Sequence, residues 1–321
     1  MAGGGAKGMV QVFDYEPGLQ AEWDDFVSRS KNGLFLFRRD YMDYHADRFE
    51  DASLMFRDEG GRLVGLLPAS IREGVVTSHG GLTFGGVVTD ASMRVSPMLE
   101  LFEAMLGRLA GRGASRLVYK AVPHIYHSLP AEEDLYALYR SGARLSRRDV
   151  SSTIFLAERP AFSKGRKWAA GLARKRGLTV GRSHDFETFM AVEEELLLKK
   201  YGVRPVHTAA EIGMLAGRFP DNIKLFAAHD GGRMLAGVLV YESRHVAHAQ
   251  YISATDEGKE CGALDMVVAF LVGEHYAGKR YFDFGISTEE GGRRLNVGLV
   301  ENKQGFGARA VVHDFYEIDL G

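Results

Sequence analysis

The sequence predicts an α/β chain with mixed (α+β) sheets, made of two tandem modules joined by a basic helix. Three observations predict it: an internal repeat, a strand–loop–helix–strand unit in the second copy, and a run of cations between the copies. The repeat pairs LMFRDEGGRLVG, residues 54–65, with LFAAHDGGRMLAG, residues 225–237. Each copy reads as strand, Gly-Gly turn, strand, which is a β-hairpin. Self-similarity at this distance signals repeated architecture. Two unrelated α/β units sharing a common turn would leave the same trace.

The flanking elements repeat as well. Before the first hairpin, Leu19–Arg29 and Tyr41–His45 read as helices; after it come a strand at Leu82–Val88, a helix at Ser96–Leu109 and a strand at Arg116–Ala121. The second copy has helices over Phe186–Tyr201 and Ala209–Phe219, then the stretch His245–Ser287. Its first part alternates apolar and polar residues like a half-buried strand. Asp256–Gly262 is rich in turn residues and reads as a loop. Leu264, Val267, Val268, Leu271 and Val272 then share one helix face, Gly278 fits the helix stop, and Tyr281–Phe284 reads as the next strand. A loop feeding a helix start presents free backbone N–H groups, which suit a phosphate. The modules divide as residues 9–156 and 157–321, the second including the basic helix.

At 321 residues the chain can hold two domains of ordinary size. With 45% hydrophobic and 26% charged residues it has a globular composition, and no apolar run approaches the ~20 residues of a membrane span. A single cysteine, Cys261, excludes an intrachain disulfide and a cysteine-based zinc cluster, and no metal is expected. The start, Met1–Gly8, is glycine-rich and reads as a disordered or added terminus; with no secretory signal, the cytoplasm is the default location. A net charge of −2 gives no global reason to bind DNA.

Between the modules Arg159, Lys164, Arg166, Lys167, Arg174, Lys175, Arg176 and Arg182 occur without an acidic residue among them. If helical from about Ser163, Lys164, Lys167 and Arg174 or Lys175 share a face. A solvated linker and a phosphate-binding flank both remain open. Near the end, NVGLVENKQGFG, residues 296–307, reads as a helix stopped at Gly305 and Gly307 before a last strand.

Glu257–Ala263, EGKECGA, resembles the pyrophosphate loop of the GNAT acyltransferase superfamily, with Glu257 where Arg or Gln is usual and Glu260 where the first glycine is usual. GLVENKQGFG (298–307) and KWAAGLARKRGLTV (167–180) resemble the tail and joining helix of the FemAB-like branch. The stretches at 35–54, 122–139 and 250–265 are similar to a subgroup of bacterial polysaccharide-assembly proteins. The resemblance implies two GNAT-like domains, the first on the acceptor side and the second on the acyl-donor side. It also implies a site in the cleft between them and transfer from acyl-coenzyme A to the amine of a nucleotide-linked amino sugar. It places the donor along Gln250, Tyr251, Ile252 and Ser253, with phosphates at Gly258, Lys259 and Gly262, and Lys303 at the donor phosphate or oxyanion. Glu257 and Glu260 would repel that phosphate unless Lys259, backbone amides or the basic helix compensate. The branch's other chemistry, aminoacyl-tRNA-dependent attachment to a cell-wall precursor, fits a chain of charge −2 poorly. A non-catalytic binding protein with a decayed donor loop is a further alternative.

Histidine suits a general base because it titrates near neutrality. His124 and His127, in VPHIYHSLP, follow a strand end, and His207 lies in the loop VRPVHT. These three and Lys303 are the catalytic candidates. His45, on one helix face with Tyr41, and Asp283, Ser287 and Asn296 are candidates for the acceptor. Asp283 on an apolar strand must be paired, as a structural anchor or as a site residue. His248 on the central strand serves packing or a ligand equally well. Cys261, at a helix start without a base partner, is a poor nucleophile candidate.

Overall fold

The computed structural model describes residues 10–321; Met1–Met9, with the glycine-rich start, lie outside the described residues. The chain forms two compact units, residues 10–149 with Val312–Gly321, and Val150–Val311. Each has its own apolar core, one around Phe56, Phe102, Leu117 and Ile318, the other around Phe226, Val238, Val267 and Phe282.

The repeat is present in the element order. In the first unit, strand Gln11–Asp14 is followed by helix Gln20–Arg29, the hairpin Leu54–Arg57 and Leu63–Leu67, the short strand Val88–Thr89, helix Val95–Gly111, strand Arg116–Lys120, helix Glu133–Arg140 and strand Arg144–Phe155. The second copy runs Thr179–Ser183, helices Phe186–Tyr201 and Ala209–Arg218, the hairpin Ile223–Asp230 and Arg233–Glu242, strand Val246–Ala254, helix Ala263–Phe270, strand Tyr281–Ile286, helix Val297–Gln304 and strand Arg309–Asp319. Helix Ala209–Arg218 carries a full capping box, Thr208 and Glu211 each satisfying the other's backbone. The joining helix spans Lys164–Lys175, and the Ser163 side chain accepts from the Arg166 N–H at its start.

The structure departs from sequence expectation at three places. Most of residues 82–88 is not strand but the end of a glycine-rich loop, leaving only Val88–Thr89 paired. Asp256–Glu260 is a short helix rather than a loop, because the Thr255 side chain caps it. Gly278 is not a left-handed cap: the helix from Ala263 passes into a π-turn over Leu271–His275 and ends at Tyr276.

The closing strand of each module is exchanged. Strand Arg144–Phe155 ends the first module in sequence, yet its residues 151–155 pair with Tyr281–Ile286 in the second unit. The chain's last strand, ending the second module, pairs through Phe315–Asp319 with Arg116–Lys120 in the first unit. The compact units therefore do not part at residues 156 and 157. Among the described residues no helix is long and apolar enough to cross a membrane.

Because Ile318 is buried in the first unit's core, Ile318→Ala should cost about 2–5 kcal/mol in urea denaturation. A chain ending at residue 156 should fail to give a cooperative unfolding transition, and appending residues 309–321 through a flexible linker should restore one.

Candidate active site

In the second unit, strand Val246–Ala254 is the fourth of the antiparallel run, and its other edge faces Tyr281–Ile286. Parallel pairing between the two covers only Val246–His248 against Tyr281–Asp283 and then stops. Two bulges sit at the point of divergence. Gln250 is an extra residue between the pairs Leu239–Tyr251 and Val240–Ala249, and the register of Tyr281–Ile286 against residues 151–155 slips between Asp283 and Ile286. Bulges bend a strand and end its pairing, so the two strands open into a cleft beyond His248.

A buried carboxylate anchors the closed end of this cleft. Asp283 is fully buried and accepts from Ser151 Oγ at 2.6 Å and Thr153 Oγ1 at 2.8 Å on one oxygen. Its other oxygen lies 2.7 Å from His248 Nδ1. With Asp283 ionised, Nδ1 carries the hydrogen, which leaves the lone pair on Nε2. The bulge residue Gly285, at φ +75°, faces this ring: a Cβ there would stand 3.4 Å from His248 Cε1 and 4.0 Å from Nε2. His248 is thereby oriented by a carboxylate where the strands part.

Lys303 and Ser287 complete this end. Lys303, 6% exposed, donates to the carbonyls of Gly285 at 2.9 Å and Ile286 at 2.8 Å, fixing the bulged strand end to helix Val297–Gln304. Burial pulls its pKa down to about 8, while the nearby Asp283 acts in the opposite sense. The Ser287 hydroxyl is buried and has no hydrogen-bond partner among the described residues. Asn296, in contrast, caps the helix, accepting from Leu299 N–H at 3.0 Å and donating to Glu289 at 2.8 Å.

Along the opening strand, Tyr251 Oη lies 2.7 Å from His207 Nδ1, which ties the loop before helix Ala209–Arg218 to the strand. Ile252 packs against the core. Ser253 donates to Glu193 on helix Phe186–Tyr201, and burial raises that carboxyl's pKa.

The phosphate loop is where the sequence misleads. The Gly258 N–H donates to Thr255 Oγ1 at 3.0 Å, and the Gly262 N–H points to the Lys259 carbonyl. Both glycines are explained by close approach: a Cβ on Gly258 would stand 2.1 Å from the Leu235 carbonyl oxygen, and one on Gly262 2.2 Å from that of Ala169. The Lys259 ammonium pairs with Asp256, and Glu257 is held by Arg176 and Arg233. These groups do not form a pyrophosphate cradle.

The first unit carries the remaining candidates, two of them buried and one exposed. His127 is buried with Nε2 3.1 Å from the Val122 carbonyl, and burial pulls its pKa down to about 4. His45 is buried, its Nδ1 2.9 Å from the Met42 carbonyl and its ring stacked on Tyr44. His124 is exposed. In this unit the Tyr119 hydroxyl accepts from Val87 N–H and donates to Asp134, each at 2.7 Å, tying strand Arg116–Lys120 to the loop before Val88.

Sequence reasoning leaves His248 between packing and a ligand contact and does not single out Ser151, Thr153 or Glu193. The demand of Asp283 for partners was a signal for the first three, but only the strand register supplies their names. Among the described residues no group of His, Cys, Asp and Glu is arranged to hold a metal ion.

Residues 159–291 match the family described as an acetyltransferase (GNAT) domain. No curated protein matches the sequence. The fold is similar to a structure of FemX, at 12% identity and TM-score 0.66, covering 95% of this chain and 96% of that one. It is also similar to L-PGS from Bacillus licheniformis, at 11% identity and TM-score 0.64, covering 96% and 93%. The C-terminal domain of a putative lysylphosphatidylglycerol synthetase from Agrobacterium fabrum matches at 13% identity and TM-score 0.58, covering 93% and 92%. The second half of the chain thus carries a match to a GNAT acetyltransferase domain, and the fold of the whole chain is similar to that of FemX and L-PGS.

Proposed function

We propose that the protein transfers an acyl group from acyl-coenzyme A to the amine of a nucleotide-linked amino sugar in the synthesis of a bacterial surface polysaccharide. The observation that carries this reading is the cleft between strands Val246–Ala254 and Tyr281–Ile286, with the His248–Asp283 pair at its closed end. A strand edge without a partner strand offers backbone groups to an extended pantetheine arm along Gln250–Ser253. The coenzyme's phosphates are not assigned to Gly258–Gly262, whose amides are engaged.

The chemistry follows from the groups at the cleft. The acceptor amine attacks the thioester carbonyl, its proton passes to His248 Nε2, and the carbon–sulfur bond breaks with the thiolate taking that proton from the imidazolium, which restores neutral His248. Asp283 stabilises the imidazolium as it forms. Lys303 holds the carbonyls of Gly285 and Ile286, so it positions the bulge that faces His248. The second reading is aminoacyl transfer from aminoacyl-tRNA to a cell-wall precursor. The fold's similarity to FemX favours it, and steep salt-dependent tRNA binding would support it.

Incubating the protein with acyl-coenzyme A thioesters and amino-sugar nucleotides should release free thiol only when the amine is present. Silence across a broad panel overturns the first reading. His248→Ala should lower kcat by roughly 10²–10⁴-fold with KM little changed, and raising the pH should recover part of the loss as the free amine becomes abundant.

A stability measurement tests Lys303 independently. Its folded pKa of about 8 lies below the ordinary 10.5, so the unfolded chain holds this proton more tightly. The cost of the buried charge is complete below pH 8 and vanishes as pH rises to 10.5. Wild type should therefore gain about 3 kcal/mol across that window relative to Lys303→Met, read from urea midpoints.

A further inference from the structure

The joining helix Lys164–Lys175 divides its cations between two faces. Arg166 pairs with the buried Asp265 and lies over the Phe306 ring; Arg176, just past the helix, pairs with Glu257 and Asp230. These fasten the helix to its unit. Lys164, Lys167, Arg174 and Lys175 lie on the exposed side, and among the described residues none of them has an ion-pair partner. In their midst Trp168 is 69% exposed and makes no ring contact among the described residues. Gly165 and Gly171, on either side of it in sequence, have nothing within 4 Å of where a Cβ would stand, so the indole is unshielded.

Helix stability does not explain this face. The first turn carries Lys164, Arg166 and Lys167 with no acidic residue, although cations at a helix N-terminus oppose the macrodipole. An exposed tryptophan loses hydration free energy for no packing return. Positions 164, 167, 168, 171, 174 and 175 follow the spacing of one helical stripe.

We infer that this stripe docks the protein reversibly on an anionic phospholipid surface, with Trp168 seated at headgroup level and the four flanking cations against lipid phosphates. Tryptophan prefers the interface between water and hydrocarbon, and lysine stems reach along apolar surface while the ammonium stays wet. The charge complementarity is local, which is compatible with a net charge of −2. A single-stranded nucleic acid fits less well. Such a ligand is gripped by several aromatics on which successive bases stack, and this convex face presents one.

The protein holds two tryptophans, and Trp23 is fully buried, so Trp168 is the exposed reporter. Titration with phosphatidylcholine vesicles containing phosphatidylglycerol should shift Trp168 fluorescence to the blue and protect it from acrylamide. Pure phosphatidylcholine should do neither, and high salt should reverse the effect. Each cation near an anionic surface is worth roughly fivefold in affinity, so Lys164→Gln with Lys167→Gln should weaken vesicle binding roughly 25-fold. These side chains are exposed, so thermal unfolding of the double variant should match wild type. No binding to the anionic vesicles at low salt, or binding that the variants leave unchanged, overturns the proposal. So does binding of a single-stranded oligonucleotide through the same residues in the absence of vesicle binding.

Discussion

A single buried carboxylate constrains much of the second unit. Asp283 has no exposure, and an ionised side chain in such a place is tolerated only when hydrogen bonds replace its water. It receives three, from Ser151, Thr153 and His248, and those residues sit on the two strands that flank its own. Satisfying Asp283 therefore fixes the register of three strands at one level. Immediately beyond that level both bulges occur and the strands separate. The closed end of the cleft is pinned by hydrogen bonds between the strands, whereas beyond it Tyr251 and Ser253 bond outward to His207 and Glu193.

The two modules share an element order but differ in how the strand after the hairpin meets the next one. In the first unit the Gly85 N–H bonds to the Lys120 carbonyl, and the Tyr119 hydroxyl ties Val87 N–H to Asp134. The acidic residues of the supposed phosphate loop also find an explanation. Glu257 serves as a structural tie between the joining helix and the hairpin, through Arg176 and Arg233.

The fold was legible because the Gly-Gly-Arg turns and the helical spacing at Leu264–Val272 depend on local chemistry that sequence expresses directly. The site was less legible because its geometry is a matter of register. Asp283 announced a need for partners, while their identity depended on which residue of SST, 151–153, and which of the strand histidines fell opposite. Gly258 and Gly262 show the opposite failure. A glycine needed for backbone contact with Leu235 or Ala169 looks the same in one dimension as a glycine that cradles phosphate. Strand pairing between distant segments leaves no local trace at all, which is why the exchanged closing strands were not foreseen.

That exchange has a temporal consequence. While the chain leaves the ribosome, the first module waits for the strand carrying Ile318, which is synthesised after the elements of the second unit. At about 5–20 residues per second the interval between residues 156 and 321 lasts roughly 10–30 s. Throughout it, the edge of strand Arg116–Lys120 lacks its native neighbour and is open to adventitious pairing with other nascent chains. The first module is thus completed only after the second has been synthesised, and its vulnerable period is set by the speed of elongation.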